Sequence, residues 1–280
     1  MKKILVPIDF SERSEDALKV AAKIARKTNS EIYVLHLLDI PVSEIDNIDG
    51  HQMPKGPIAM MLFEQTHEKF DELLDKDYLD NIPVYEKVMT DAPFEGISDF
   101  AKTNDIDIIV MGSHGTSGSD DFFVGSNTEK IVRSSKIPVI VVKQPAENFK
   151  IEKVVISAKF KGDHINEFHK IIKFIKIFDP KIYLLRVNTP GNFKSTKELD
   201  EIFKNFLAKV PEYKCMTPVV YNDYTVQEGI FNFADKIDAD LVALSTRGRQ
   251  GIMHFFSDSI AESVINVAKK NILTIKIDKK

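Results

Sequence analysis

The stretch MGSHGTSGSDDFFVGSNTEK, residues 111–130, follows the apolar run DIDIIV and contains four of the twelve glycines of the chain. The apolar run is typical of a strand buried in a sheet, and the segment from 126 onward is typical of a helix. A glycine-rich loop between a strand and a helix can bring its backbone close to a ligand, and the helix then offers unpaired N–H groups. These residues therefore predict a phosphate-binding loop beyond a strand of an α/β protein.

A related sequence, LSTRGRQGIMHFFSDSIAES, lies at 244–263. Further segments recur in the same order in both halves. The matched pairs are KKILVPIDF (2–10) with EKVVISAKF (152–160), EIYVLHLLD (31–39) with KIYLLRVNT (181–189), DIDIIVMGSHG (105–115) with DADLVALSTRG (238–248), and IPVIVVK (137–143) with ILTIKID (272–278). Such a repeat predicts two similar domains of ordinary size, and we place them at 1–145 and 150–280.

Apolar, β-rich runs alternate with amphipathic helical patterns in each half, which predicts parallel βαβ units and an open, doubly wound α/β sheet. In the first half we predict strands at 2–8, 31–38, 82–88, 107–111 and 137–142, helices at 12–28, 57–80, 92–103 and 126–135, and a long loop at 41–57. The final strand of each half would leave an apolar sheet edge open, and the two edges can pair within one molecule.

Composition argues against several kinds of partner. The chain of 280 residues has a net charge of -4 and no long run of like charge, so neither nucleic acid nor an acidic membrane surface is expected to bind it. No apolar run approaches the length of a membrane span, and the amino-terminal segment lacks the features of a signal peptide. The single cysteine, Cys215, favours a reducing compartment, and we expect a cytoplasmic protein.

Two common phosphate motifs, G-x-x-x-x-G-K-[ST] and G-x-G-x-x-G after a strand, are absent. The spacing Gly112-x2-Gly115-x9-Gly125-Ser126 instead resembles the ATP-binding signature of the universal stress protein family, G-x2-G-x9-G-[ST]. The segments ILVPIDFSERSEDAL and GSNTEKIVRSSKIPVIVV are similar to other parts of that family, and the resemblance covers nearly the whole chain as two copies.

The resemblance implies a five-stranded parallel sheet in the order 3-2-1-4-5 in each half, with an adenine nucleotide bound where the order reverses, and pairing of the last strands. Asn127 stands where members of the family often carry Val. The implied nucleotide-binding residues of the first half are Pro7, Ile8, Asp9, Leu37, Met111, Gly112, His114, Gly115, Gly125, Ser126, Asn127 and Thr128.

The second half has lost several of these residues, because Lys159 replaces Asp9, Ser245 replaces Gly112 and Asp258 replaces Gly125. A carboxylate at 258 would repel a phosphate at the start of a helix. We therefore expect one working site and one degenerate copy. The alternative is that Lys159 and Arg247 form an anion site of another kind.

The leading functional hypothesis is a regulatory protein of the stress response that binds ATP, ADP or AMP, with or without Mg²⁺. Asp120 and Asp121 in the loop either hold Mg²⁺, repel phosphates or are solvated. Two alternatives stay open: a slow ATP hydrolase that uses the same site, and an interaction scaffold that binds no nucleotide. The absence of an evident base or Walker lysine argues against efficient turnover. Further self-association of the tandem chain into a homodimer is left open.

Overall fold

Strands and helices alternate along the chain in the computed structural model, which describes residues 1–48, 51–113, 125–158, 160, 165–210, 216–246 and 269–276. The strands are β1 Lys3–Pro7, β2 Glu31–Leu38, β3 Ile45–Ile48, β4 His51–Pro54, β5 Val84–Thr90, β6 Ile108–Gly112, β7 Val139–Val142, β8 Lys153–Ser157, β9 Lys181–Asn188, β10 Met216–Asn222, β11 Leu241–Thr246 and β12 Asn271–Lys276. The helices are α1 Glu12–Thr28, α2 Pro57–Leu74, α3 Pro93–Thr103, α4 Ser126–Ser134, α5 Ile165–Ile175, α6 Thr196–Leu207 and α7 Val226–Lys236.

Ten of these strands form one sheet in the order β10-β9-β8-β11-β12-β7-β6-β1-β2-β5. Within each half of this ten-stranded sheet the neighbouring strands are parallel. Each half places its first strand between its second strand and the strand that precedes the glycine loop or its counterpart. Helices cover both faces. One apolar core packs α1, α2, α5 and α6 against the sheet, and the other packs α3, α4 and α7. The predicted doubly wound α/β class is confirmed.

The two halves meet at an antiparallel pair, β7 with β12, in which Ile140 lies opposite Leu273. This pairing closes the sheet edge that each half would otherwise expose, so the predicted intramolecular pairing is confirmed. Side chains reinforce it, because the Lys143 N–H donates to Asn271 Oδ1 at 2.9 Å and Lys276 Nζ donates to the Ser134 carbonyl at 3.4 Å. The carboxyl ends of the strands in one half therefore point away from those in the other.

Local details of the backbone also occur twice. Asp107 Oδ2 accepts the N–H groups of Lys2 and Lys3, and Asp240 Oδ2 accepts those of Glu152 and Lys153, so one carboxylate holds the start of the first strand in each half. Positive φ angles recur at equivalent non-glycine positions. The matched pairs are Phe10 with Phe160, Asn29 with Asp179, and Asp105 with Asp238.

Helix α2 and the segment 41–57 differ most from the sequence prediction for the first half, and β5 begins and ends two residues later than predicted. Helix α2 ends at Leu74 rather than at 80, because a charged segment follows and a 3₁₀ turn over Asp77–Leu79 buries Leu79 instead. The predicted loop 41–57 contains an antiparallel hairpin of β3 and β4 that is separate from the main sheet. Glu44 and Lys55 join its base, with the Lys55 N–H donating to the Glu44 carbonyl at 2.8 Å.

The predicted match between the last strands was wrong by two residues. Ile109 pairs with Val139 in the first half, and its equivalent Val242 pairs with Ile272 in the second. Val139 is therefore equivalent to Ile272, and Lys143 is equivalent to Lys276. Apolar runs of similar composition align almost equally well in neighbouring registers, and only the pairing to the adjacent strand distinguishes them.

The equivalent aspartates Asp107 and Asp240 test how much burial adds to the stability of this contact. We expect Asp240→Ala to cost about 2–3 kcal/mol of unfolding free energy, because two N–H groups lose a charged acceptor in a site where Asp240 is only 8% exposed. Asp107→Ala removes the same contacts at an exposed residue and should cost about 1 kcal/mol. Urea unfolding followed by circular dichroism measures both, and equal losses would show that burial does not control this contact.

Candidate functional site

A cavity of about 260 Å³ opens at the carboxyl ends of β1, β2 and β6. The strand order reverses here, since β2 lies on one side of β1 and β6 lies on the other. The chain therefore leaves β1 and β6 toward different neighbours, and a crevice remains between the connections. The lining residues are Pro7, Ile8, Asp9, Ser14, Leu35, His36, Leu37, Pro93, Ile97, Met111, Gly112, Gly125, Ser126, Asn127 and Thr128.

Ten of the twelve predicted nucleotide-binding residues belong to this lining, and the remaining two, His114 and Gly115, lie outside the described residues. Asp120, Asp121, Lys159, Arg247 and Asp258 also lie outside them. The tertiary structure thus brings together segments separated by more than a hundred residues. Whether these side chains bind a nucleotide stays a prediction.

The base of the cavity is apolar and includes residues that the sequence analysis missed. Leu35 and Leu37 extend from alternate positions of β2, while Pro93 and Ile97 lie one turn apart at the start of α3. Their spacings, two in a strand and four in a helix, could have indicated a shared surface. Together with Met111 they form the kind of wall against which a flat aromatic ring packs.

Asp9 lies two residues after the end of β1 and lines the crevice. Its Oδ1 accepts the Ser11 N–H at 3.1 Å and the Ser11 hydroxyl at 2.6 Å, which holds the carboxylate beside the start of α1. The following residue, Phe10, has a φ of 61°, an uncommon conformation for a bulky side chain. This turn sends the chain into α1 while Asp9 stays on the cavity side.

Two hydrogen bonds join the ends of the glycine loop. The Gly125 N–H donates to the Ser113 carbonyl at 2.8 Å, and the buried Thr128 hydroxyl donates to the Gly112 carbonyl at 3.1 Å. The start of α4 is thereby fixed over the end of β6. Because the Thr128 proton is used inside the protein, Thr128 positions the loop and does not donate that proton to a ligand.

Gly112 is required by the packing of α1, whether or not a ligand is bound. A Cβ at this position would lie 2.6 Å from the Arg13 carbonyl oxygen, in the first turn of α1. Gly125 differs, because its φ of -59° and ψ of 147° suit any residue. Gly112 and Gly125 therefore differ: Gly112 lets the first turn of α1 approach β6, whereas the backbone conformation of Gly125 does not require a glycine.

His36 lies beside Asp9 and is half-buried. Its Nδ1 is 2.8 Å from the Ile8 carbonyl, which can only accept, so Nδ1 carries a proton. Its ring packs on Phe10 with centroids 4.8 Å apart. Burial lowers the pKa of His36 from the ordinary 6.5, and Lys69 lowers it further, although the Ile8 carbonyl and Asp9 oppose the change.

Two searches of the described part of the chain bear on other site types. No group of three or more His, Cys, Asp or Glu residues in it is arranged to hold a metal ion. None of its helices is both long and apolar enough to cross a membrane.

The sequence pattern of the universal stress protein family matches residues 1–143 and again 168–276. The chain therefore belongs to the universal stress protein family, as a tandem member. Universal stress protein MJ0577 of Methanocaldococcus jannaschii is 31% identical over 159 residues, which cover 51% of this chain and 95% of that protein. Universal stress protein MJ0531 of the same organism is 28% identical over 145 residues, covering 51% and 83%.

The whole tandem arrangement also has a counterpart of known structure. A universal stress protein from Archaeoglobus fulgidus superposes with a TM-score of 0.72 over 98% of both chains. The two sequences are 20% identical, and the superposition shows that the two proteins share a fold.

The difference between the two glycines gives a matched pair of variants. We expect Gly112→Ala to destabilise the protein by about 1–3 kcal/mol, because the methyl group displaces the first turn of α1. Gly125→Ala should change the free energy of unfolding by less than about 1 kcal/mol, since its backbone suits alanine. Chemical unfolding of both variants measures this, and an unchanged Gly112→Ala variant would contradict the close approach.

The environment of His36 predicts a pH dependence of stability. The folded protein disfavours the protonated form of this imidazole, and so lowers its pKa, relative to the unfolded chain, in which the pKa is the ordinary 6.5. The free energy of unfolding should therefore fall as the pH drops below that value, by up to about 1.4 kcal/mol per pH unit. His36→Gln should remove this component. Thermal unfolding of both proteins at several pH values measures it, and equal slopes would refute the assignment.

Proposed function

We propose that this universal stress protein is a regulatory protein that binds one adenine nucleotide, ATP, ADP or AMP, in its first domain. The observation that carries the proposal is the convergence of the Asp9 segment, the apolar wall around Leu37 and the start of α4 on one cavity at the topological switch point. In open α/β sheets this is the position at which ligands bind.

The chemistry of the cavity suits the parts of such a ligand. The apolar wall of Leu35, Leu37 and Ile97 accommodates the base, and Asp9 accepts hydrogen bonds from hydroxyl groups of the sugar. The start of α4 attracts phosphate through unpaired N–H groups and the positive end of the helix dipole. We propose that Mg²⁺ can accompany the phosphates, and that the nucleotide also binds without it.

We place the ligand in the domain at 1–145 and propose that the domain at 150–280 binds none. The sequence supports this asymmetry, because Asp258 replaces Gly125 and Lys159 replaces Asp9 in the second half. A lone cysteine supports a cytoplasmic location. Membership of the family supports a role in the stress response.

Placing the second domain's residue in the first site tests the proposal. Gly125→Asp should weaken ATP binding by a hundredfold or more, because a carboxylate about 4 Å from a phosphate costs about 4 kcal/mol. Gly125→Asn has nearly the same shape without the charge and should lose much less. Isothermal titration measures both, and full ATP affinity in Gly125→Asp would overturn the site.

The protein as purified provides an independent measurement. Mass spectrometry of the acid-denatured protein should detect about one adenine nucleotide per chain if the ligand dissociates slowly. If none is retained, added ATP at a hundred times its dissociation constant should stabilise the fold by about 2.7 kcal/mol. If no nucleotide is retained and added ATP does not stabilise the fold, the interaction scaffold would be favoured instead.

A further inference from the structure

We propose that the side chain of Asn127 recognises the phosphate group of the ligand and so makes the site selective for nucleotides over nucleosides. This inference rests on the proposed function and adds a specificity-determining residue to it. Asn127 is the second residue of α4, is half-buried and lines the cavity.

The polar side chains of the cavity are not equally available to a ligand. The Ser14 hydroxyl donates to the Ser11 carbonyl at 2.9 Å, and the Thr128 hydroxyl donates to the Gly112 carbonyl. His36 Nδ1 is engaged with the Ile8 carbonyl. These side chains build the walls of the site, and their donors are already used within the protein.

Asn127 and Ser126 differ from them. Within the described ranges, the Asn127 carboxamide makes no hydrogen bond to the protein, and neither does the Ser126 hydroxyl. A carboxamide carries two N–H donors, and a half-buried one without partners loses part of its hydration for no return. A ligand oxygen at this point would supply the missing acceptor.

The position of Asn127 indicates which part of the ligand it meets. The apolar wall comes from β2 and α3, on one side of β1, whereas α4 starts above the end of β6, on the other side. A base against Leu37 therefore directs the sugar past Asp9 and the phosphate toward the start of α4. Asn127 adds neutral donors there to those of the helix backbone.

Neutral donors matter here because of what the lining lacks. Among the described residues that line the cavity there is no lysine and no arginine. Phosphate recognition by that part of the site thus depends on N–H and O–H groups and on the helix dipole. Removing one side chain that carries two donors should consequently have a measurable effect.

The test compares AMP with adenosine, which differ only in the phosphate, by isothermal titration of the full chain. Asn127→Val should weaken AMP binding about tenfold, the usual loss for one hydrogen bond to a charged group, and should change adenosine binding less than about twofold. Asn127→Asp keeps the shape but replaces the donors with a negative charge, so its loss of AMP affinity should be larger. Asn205→Val makes the same change on an exposed surface of α6 and should bind AMP normally.

The outcomes separate this inference from the proposed function. Equal weakening of AMP and adenosine by Asn127→Val would place the side chain at the nucleoside and overturn the inference. Unchanged affinity for both would also overturn it, while leaving nucleotide binding intact. Failure of the wild-type chain to bind AMP, ATP or adenosine would refute the proposed function itself. Thermal unfolding of the ligand-free variants, which should match wild type, verifies that each is folded.

Discussion

The reversal of strand order beside β1 is the constraint on which the rest of the site depends. Parallel strands place their carboxyl ends at one edge, and connections that leave in opposite directions leave a crevice there. Asp9 and Gly112 meet at this crevice although about a hundred residues separate them. Every other element of the candidate site is placed relative to these two strand ends.

Helix packing and the lining of the candidate site share the same few residues at this point. Gly112 lets the first turn of α1 approach β6, and the Gly112 carbonyl accepts the hydroxyl proton of Thr128. A side chain at 112 would thus disturb the helix before it disturbed any ligand.

The antiparallel seam between β7 and β12 gives the tandem chain the arrangement of a symmetric dimer. Each of the two apolar cores contains residues of both halves, so apolar packing is continuous from one half to the other. Helix α4, which begins at the cavity, ends at Ser134 with its carbonyl held by Lys276 of the second half. The second half therefore contacts the first both along the paired strands and at the end of the helix that begins at the cavity.

The sequence alone determined the doubly wound class, the duplication and the bounds of α1 and β2, because these follow from local periodicity and from repeated sequence segments. Through its resemblance to the universal stress protein family, the sequence also indicated ten residues that the structure gathers around one cavity. The hairpin of β3 and β4 was missed, although the dipeptide Asp49-Gly50 between its strands is a known turn signal. Only the tertiary structure decided the register of β12, the contact of Gly112 with α1 and the apolar wall of Pro93 and Ile97. Those depend on distances between segments far apart in the chain, which local patterns do not encode.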